Sequence, residues 1–133
     1  MAIKTARLNE DFAVQITIPS GSSTHIDAID LWSLEDPRGA FIKMPAAWTA
    51  ADIIFQFAPK EDVTDLNTLY DATGAEIRVE GIKTNAKGIY HLPAEVWVPM
   101  QRMRYMKILS VTVGAATAVN QVANRVITLY TGN

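Results

Sequence analysis

Alternating apolar and polar positions dominate this chain. In residues 12–18 the even-numbered positions are large and apolar, whereas Gln15 and Thr17 between them are polar. This period of two is typical of a strand with one buried face. Residues 53–57 repeat the alternation and add Ile54 on the opposite face, which predicts a strand that is buried on its first face and half covered on its second.

Other period-two runs lie between clusters of turn residues. They predict strands over residues 26–32, 41–44, 66–70, 75–80, 88–92, 95–98, 105–113 and 125–130. The sequence Asp71-Ala72-Thr73-Gly74 is predicted to form a hairpin turn, with the glycine at a position that needs a positive φ. Residues 46–51 are predicted to form one helical turn.

The number and spacing of these segments predict the fold class. About nine short strands, with turn signals every eight to twelve residues or so, are typical of an antiparallel β-sandwich. We therefore expect an all-β, jelly-roll-like sandwich with at most one or two short helical turns. A parallel α/β fold is disfavoured because no segment is long enough to form its crossover helices. Residues 12–133 are predicted to form a single domain, preceded by an N-terminal arm over residues 1–11.

Composition narrows the possible functions. The chain has 133 residues, a formal net charge of −2 and no cysteine. The small negative charge predicts no general attraction to nucleic acid or to an anionic membrane. The lack of cysteine excludes disulfides, thiolate zinc sites and cysteine nucleophiles. The first residues contain no apolar signal-peptide core and no later stretch is long enough to span a bilayer, so we expect synthesis in a cytoplasm.

The residues offer no convincing catalytic group. Ser23, His25 and Asp27 alternate along one extended segment, so their side chains lie in a row and do not converge on one substrate atom. We expect surface roles for His25 and for His91, the only other histidine. Phosphate-binding glycine motifs are also lacking. An enzyme would require an unrecognised carboxylate pair such as Asp27 and Asp30, and we predict that the protein is not an enzyme and uses no cofactor.

Two acidic clusters could supply oxygen ligands for calcium in loops. They comprise Asp27, Asp30, Glu35 and Asp36, and separately Glu61, Asp62 and Asp65. Neither cluster has the spacing of an EF-hand. We expect these residues to be solvated loop groups, and predict no metal site.

Two further sets of residues are candidates for binding. Arg102, Arg104 and Lys107 form the densest basic cluster, and Arg102 and Arg104 share a face if the segment is extended. Such a cluster suits an acidic patch on a protein partner. Among the three tryptophans, the apolar neighbours of Trp48 and Trp97 predict core positions, whereas Trp32 remains a candidate for stacking against a carbohydrate ring.

Several motifs carry a family resemblance. They are Met44-Pro45-Ala46-Ala47-Trp48-Thr49-Ala50-Ala51 with Ile54-Phe55-Gln56, then Leu69-Tyr70-Asp71-Ala72-Thr73-Gly74, then Met106-Lys107-Ile108-Leu109-Ser110, and the run from Val119 to Leu129. Together they resemble small virion proteins of tailed bacteriophages, of the β-sandwich capsid decoration or cement type. The resemblance covers roughly residues 26–130 and leaves the N-terminal segment unexplained.

The resemblance implies a structural protein on the capsid surface of a virion, synthesised in the cytoplasm of a bacterial host. Its expected partners are the major capsid protein and further copies of itself, as a dimer or trimer. No nucleic acid, membrane or small-molecule substrate is expected. We predict that the arm contacts the shell or a neighbouring subunit. The candidate interface residues are Ile3, Lys4, Arg7, Leu8, Arg102, Arg104 and Lys107. The alternative is a receptor-binding or carbohydrate-binding module of a tail or fibre, with Trp32 as the glycan contact.

Overall fold

A computed structural model describes residues 13–34, 39–80, 82–115 and 117–131. Strands account for most of its regular structure. They are β1 (Ala13–Ile18), β2 (Ile29–Asp30), β3 (Ala40–Met44), β4 (Asp52–Ala58), β5 (Asn67–Thr68), β6 (Arg78–Val79), β7 (Gly88–Leu92), β8 (Tyr105–Val111) and β9 (Arg125–Thr131). A 3-10 turn at Leu31–Ser33 and a short helix, α1 (Ala94–Met100), complete the described elements.

The strands pair in a nested order. β1 pairs with β9, β2 with β8, β3 with β7 and β4 with β6, so the chain forms a long hairpin that folds back near β5 and β6. The further pairs β3–β9 and β4–β8 wrap this hairpin into two sheets. The first sheet has the order β1-β9-β3-β7, and the second has the order β2-β8-β4, with β5 and β6 both along the far edge of β4. Every pair is antiparallel, and a wrapped hairpin of this kind is a jelly roll. The predicted all-β, jelly-roll-like sandwich is confirmed.

The core lies between the inner faces of the two sheets. In the first sheet Ile16 pairs with Ile127, and both are buried. In the second sheet Phe55 pairs with Ile108, and neither side chain reaches solvent. Alternate residues of each strand enter this core because successive side chains of a strand point to opposite faces.

The outer face of the second sheet is partly covered by the segment that follows β8. Asp52 and Ile54 lie on this face yet are almost completely buried. Asp52 accepts a 3.0 Å hydrogen bond from Arg78 on the neighbouring strand β6, and Arg78 also donates to the carbonyl oxygens of Thr112 and Ala115. The guanidinium therefore holds this segment against the sheet. The predicted burial of the first face of β4 is confirmed, and its second face, predicted to be half covered, is covered more fully.

One strand prediction was wrong. Residues 95–98 belong to α1, in which Val96 and Met100 are buried four residues apart on one face. Val96 and Val98 are β-branched and resemble a strand in sequence, but burial at a spacing of four residues favours the helix. Pro93 precedes the first residue of α1. A residue there has no helical carbonyl to which its N–H could donate, so the lack of an N–H in proline costs no hydrogen bond.

The predicted helical turn over residues 46–51 was also wrong. The backbone there is irregular, and its N–H groups bond to a neighbouring segment and not to carbonyls four residues earlier. Trp48 donates to the carbonyl of Thr84 at 2.9 Å, and Ala51 donates to the carbonyl of Ile82 at 3.3 Å.

The predicted strand over residues 26–32 is reduced to two residues. The Asp30 carboxylate accepts a hydrogen bond from the Trp32 backbone N–H at 3.1 Å, which turns the chain into the 3-10 turn. The predicted hairpin turn before β6 is confirmed: Gly74 has a φ of 86°, and the side chain of Asp71 accepts from the backbone of Thr73.

Candidate interaction surfaces

His25 has a structural role, so the expectation of a surface role was wrong for this residue. Its ring is buried, and Nδ1 donates to the carbonyl oxygen of Asp27 at 2.6 Å. Nε2 accepts from the backbone N–H of Ile108 at 3.0 Å. Both ring nitrogens are thus occupied by backbone groups, which fixes the neutral tautomer protonated on Nδ1. Burial lowers the pKa of His25, and the charge of Lys107 lowers it further.

Ser23, His25 and Asp27 do not form a catalytic triad. His25 donates to the backbone carbonyl of Asp27 and not to its carboxylate. The backbone carbonyl of Ser23 accepts a hydrogen bond from the N–H of Ser110 on β8. His25 lines an open cleft of about 340 Å³, together with Gln15, Ile26 and Asn124. Because both nitrogens of His25 are already bonded, the imidazole cannot act there as a free base.

The second acidic cluster shapes its own loop, whereas Glu35 and Asp36 of the first cluster lie outside the described residues. Asp62 accepts hydrogen bonds from the hydroxyl and the backbone N–H of Thr64, which lower the pKa of Asp62. Asp65 accepts from the side chain of Asn67 in the same manner. Across residues 13–34, 39–80, 82–115 and 117–131, no group of three or more histidine, aspartate or glutamate side chains could hold a metal ion.

The outer face of the first sheet carries an exposed aromatic row. Phe41 on β3 pairs directly with Tyr130 on β9 and with His91 on β7. The rings of Phe41 and His91 lie 5.1 Å apart between centroids, at an angle of 58°. Phe41 is 41% exposed and Tyr130 is 39% exposed, whereas the alternate residues of the same strands are buried in the core.

Aliphatic side chains extend this row into a patch. Ile89 on β7 is 68% exposed, and Val126 on β9 is also exposed. Lys43 on β3 is exposed on the same face and is paired with Ile89 on one side and with Thr128, two residues along β9 from Val126, on the other. We call the set Phe41, Lys43, Ile89, His91, Val126 and Tyr130 the aromatic face. Exposed apolar side chains grouped on one sheet face in this way are typical of contact sites on proteins.

A second surface forms at one end of the second sheet. The guanidinium of Arg104 lies 4.6 Å from the centre of the Trp32 ring and 5.1 Å from that of Tyr105. The ammonium of Lys60 lies 6.0 Å from the centre of the Trp32 ring. These are cation–π distances. Trp32 is 56% exposed. We call these four side chains the tryptophan cluster.

Asp30 fixes the position of Arg104 in this cluster. Its two carboxylate oxygens accept from Nε at 3.3 Å and from Nη2 at 3.1 Å, a two-point contact that a guanidinium makes and an ammonium cannot. The hydrogen bonds from Arg104 lower the pKa of Asp30. Among the described residues, Nη1 of Arg104 has no hydrogen-bond acceptor.

The structure separates the predicted basic cluster. Arg102 lies in the turn that follows α1, where its backbone N–H donates to Pro99, so the expectation that it shares an extended face with Arg104 was wrong. Lys107 lies on the outer face of the second sheet, paired with Gln56. The fold places the guanidinium of Arg104 beside the ring of Trp32 instead. Of the other candidate interface residues, Ile3, Lys4, Arg7 and Leu8 lie outside the described residues.

The tryptophan assignments are confirmed in the main. Trp48 is buried and donates through Nε1 to the carbonyl of Ala51 at 3.4 Å, and Trp97 is partly buried against the core. Trp32 remains exposed, as required of a stacking residue.

The aromatic face was missed at the sequence level. Its signal was present in β3, where Phe41 must point away from the core if Ile42 points into it. The register that sets Phe41 beside Tyr130 joins residues far apart in sequence, so no local pattern could reveal the row.

Comparisons with protein-family models, curated proteins and solved structures found no match for this chain. No helix in the described part of the chain combines the length and the apolar character that crossing a membrane requires.

Proposed function

We propose that this chain is a structural virion protein of the capsid decoration type, without enzymatic activity. It binds the outside of a phage head through non-covalent contacts with the major capsid protein. The proposal starts from the resemblance in residues 26–130 and is supported by the aromatic face. The jelly roll itself is compatible with many functions and carries no weight alone.

The aromatic face is the observation that carries the proposal. A four-stranded sheet face of about six residues per strand measures roughly 400 Å², from strand spacings of about 4.8 Å and rises of about 3.3 Å. A standard protein interface buries about 800 Å² per partner. The face can therefore supply the centre of an interface, with the neighbouring loops as its rim.

The expected affinity of one such contact is modest. Burial of a few hundred Å² of apolar surface contributes roughly 5–10 kcal/mol at about 25 cal/mol per Å². Association costs of about 4–15 kcal/mol oppose this gain. A capsid presents many identical sites, and a dimer or trimer engages several of them at once. We therefore propose a homo-oligomer on the shell lattice.

Copy number in purified particles tests the proposal. Virions of the source phage would be banded in a density gradient, and this chain would be quantified against the major capsid protein by mass spectrometry with isotope-labelled peptides. A decoration protein should be present in numbers comparable with the capsid protein. A tail protein of known low copy number serves as the internal control. Absence of the chain from the particles would refute a virion role.

A second candidate function is a receptor-binding or carbohydrate-binding module of a tail or fibre. The exposure of Trp32 favours it, because an accessible indole is the usual stacking partner of a sugar ring. A few copies per particle would support this location. Binding on a glycan array that is lost in Trp32→Ala and retained in Lys43→Gln would identify the surface.

A further inference from the structure

We propose that the tryptophan cluster is the anchor point for an acidic segment of the protein partner, in which a carboxylate lies next to an apolar side chain. The segment is assigned to the capsid partner only if the proposed function holds. The binding chemistry itself depends on the cluster alone.

The residue types of the cluster favour a protein ligand. Trp32, Arg104 and Tyr105 belong to the three types that are most enriched among residues that dominate protein–protein binding energies. They meet here on the surface, with Arg104 within 5.1 Å of both ring centres. An apolar side chain of the partner can pack on the exposed indole, while Nη1 of Arg104 and the ammonium of Lys60 receive its carboxylate.

Preorganisation strengthens this assignment. The two-point contact with Asp30 and the stacking on Trp32 hold the guanidinium in place before a partner arrives. A fixed side chain loses little conformational freedom on binding, so more of its interaction energy appears as affinity.

The charge of the cluster limits how acidic the ligand can be. Arg104 and Lys60 carry two positive charges and Asp30 carries one negative charge, which leaves one net positive charge. Glu61 and Asp62 follow Lys60 directly and are exposed. Their carboxylates repel any anionic ligand, and they repel most strongly a nucleic acid, which has a phosphate at every nucleotide. A segment with one or two carboxylates among apolar residues fits better.

Nuclear magnetic resonance of the indole N–H groups provides a direct test. The protein has three tryptophans, and the Trp32 signal is assigned by its loss in Trp32→Phe. The probe is a capped peptide, Gly-Glu-Phe-Leu-Glu-Gly, titrated against the folded full chain. We expect the Trp32 signal to shift while those of Trp48 and Trp97 remain in place. The matched peptide with both glutamates replaced by glutamine should bind several-fold more weakly.

Substitutions in the protein locate the contact. Arg104→Gln should weaken binding about tenfold or more, as expected for a central residue, and Lys60→Gln about threefold, as expected for a rim charge. Lys83→Gln removes the same charge from an exposed residue outside both surfaces and should leave binding unchanged. Its neighbour Ile82 accepts from Ala51 just before β4, whereas the carbonyl of Ala58 at the other end of β4 accepts from Arg104. Circular dichroism confirms the fold of each variant.

Three outcomes would overturn the proposal. Equal binding of the glutamate and glutamine peptides would show that charge plays no part. Equal weakening by Lys83→Gln and Lys60→Gln would show that the attraction is not local. A shift of the Trp32 signal at lower concentrations of oligothymidylate or of an oligoglucuronate than of the peptide would assign the cluster to another ligand class. None of these results bears on the copy number in particles, so the two proposals fail independently.

Discussion

The carboxamide of Gln121 pairs with the backbone of Thr49 in both directions. Its Oε1 accepts from the N–H of Thr49 at 2.8 Å, and its Nε2 donates to the carbonyl of Thr49 at 3.1 Å. The Gln121 side chain is completely buried. It therefore satisfies both backbone groups of Thr49, as a neighbouring strand would, and helps to hold the segment that contains Trp48 in place.

Removal of this amide should destabilise the fold. In Gln121→Leu the N–H and the carbonyl of Thr49 both lose their partners, and unsatisfied groups cost about 1–3 kcal/mol each. We expect the free energy of unfolding to fall by roughly 2–4 kcal/mol, measured by urea denaturation. Gln15→Leu, on the exposed face of β1, is the matched control and should change stability by less than about 0.5 kcal/mol. Similar losses in both variants would mean that the pairing contributes nothing specific.

The buried ion pair between Arg78 and Asp52 provides a second prediction. Their side chains are 8% and 2% exposed, and Glu76 forms the second, more accessible ion pair of Arg78. Asp52→Asn leaves the buried guanidinium with less neutralising charge, which should cost about 2–3 kcal/mol, since loss of one partner of a buried pair typically costs 3–5. Glu76→Gln should cost clearly less. Thermal and urea unfolding of the two variants measure the difference, and a larger loss in Glu76→Gln would contradict this ranking.

His25 predicts a pH dependence of stability. Burial lowers the pKa of His25 below the ordinary value of 6.5, and a proton on Nε2 would face the N–H of Ile108 without an acceptor. Well above pH 6.5 the ring is neutral in both the folded and the unfolded state, so its full contribution to stability is present. As the pH falls, the unfolded state binds the proton first. The free energy of unfolding should therefore decrease by up to about 1.4 kcal/mol per pH unit until the folded pKa is passed.

Urea titrations between pH 7.5 and 5 measure this slope. His25→Gln should be less stable at pH 7.5 and should lose much of the slope. His91→Gln, in which an exposed ring of the aromatic face is replaced, should retain it. A wild-type slope that survives in His25→Gln would assign the effect to other groups.

The strands were predictable where one face is buried and the other is not. Ile16 and Ile18 alternate with Gln15 and Thr17, so the period of two fixes both the element and its inner face. The helix α1 was not predictable in this way, because its Val-Trp-Val run has strand-like composition. Its helical conformation is decided by the burial of Val96 and Met100 against the rest of the fold.

The candidate surfaces depend on tertiary pairing to different degrees. The sequence left the exposure of Trp32 open. Trp32 contacts Arg104 only because β2 pairs with the start of β8, where Asp30 is the partner of Tyr105. The basic cluster predicted from local spacing was divided for the same reason, since the turn after α1 removes Arg102 from the line of β8. The turn from Asp71 to Gly74 is local in sequence and was predicted, whereas neither surface assembled by strand register was.

The aromatic face should matter for binding and little for stability, and adjacent residues of β3 test this. Phe41 points outward and Ile42 is buried. Phe41→Thr keeps a strand-forming residue and should cost less than about 1 kcal/mol, whereas Ile42→Ala should cost about 2–5 kcal/mol through the cavity it leaves. If the face contacts the capsid, Phe41→Thr and Tyr130→Thr should reduce the amount of protein that co-sediments with particles stripped of the endogenous chain. Gln15→Thr, at the rim of the same face, is the control. Undiminished co-sedimentation of both aromatic variants would exclude the aromatic face as the contact and direct attention to the tryptophan cluster.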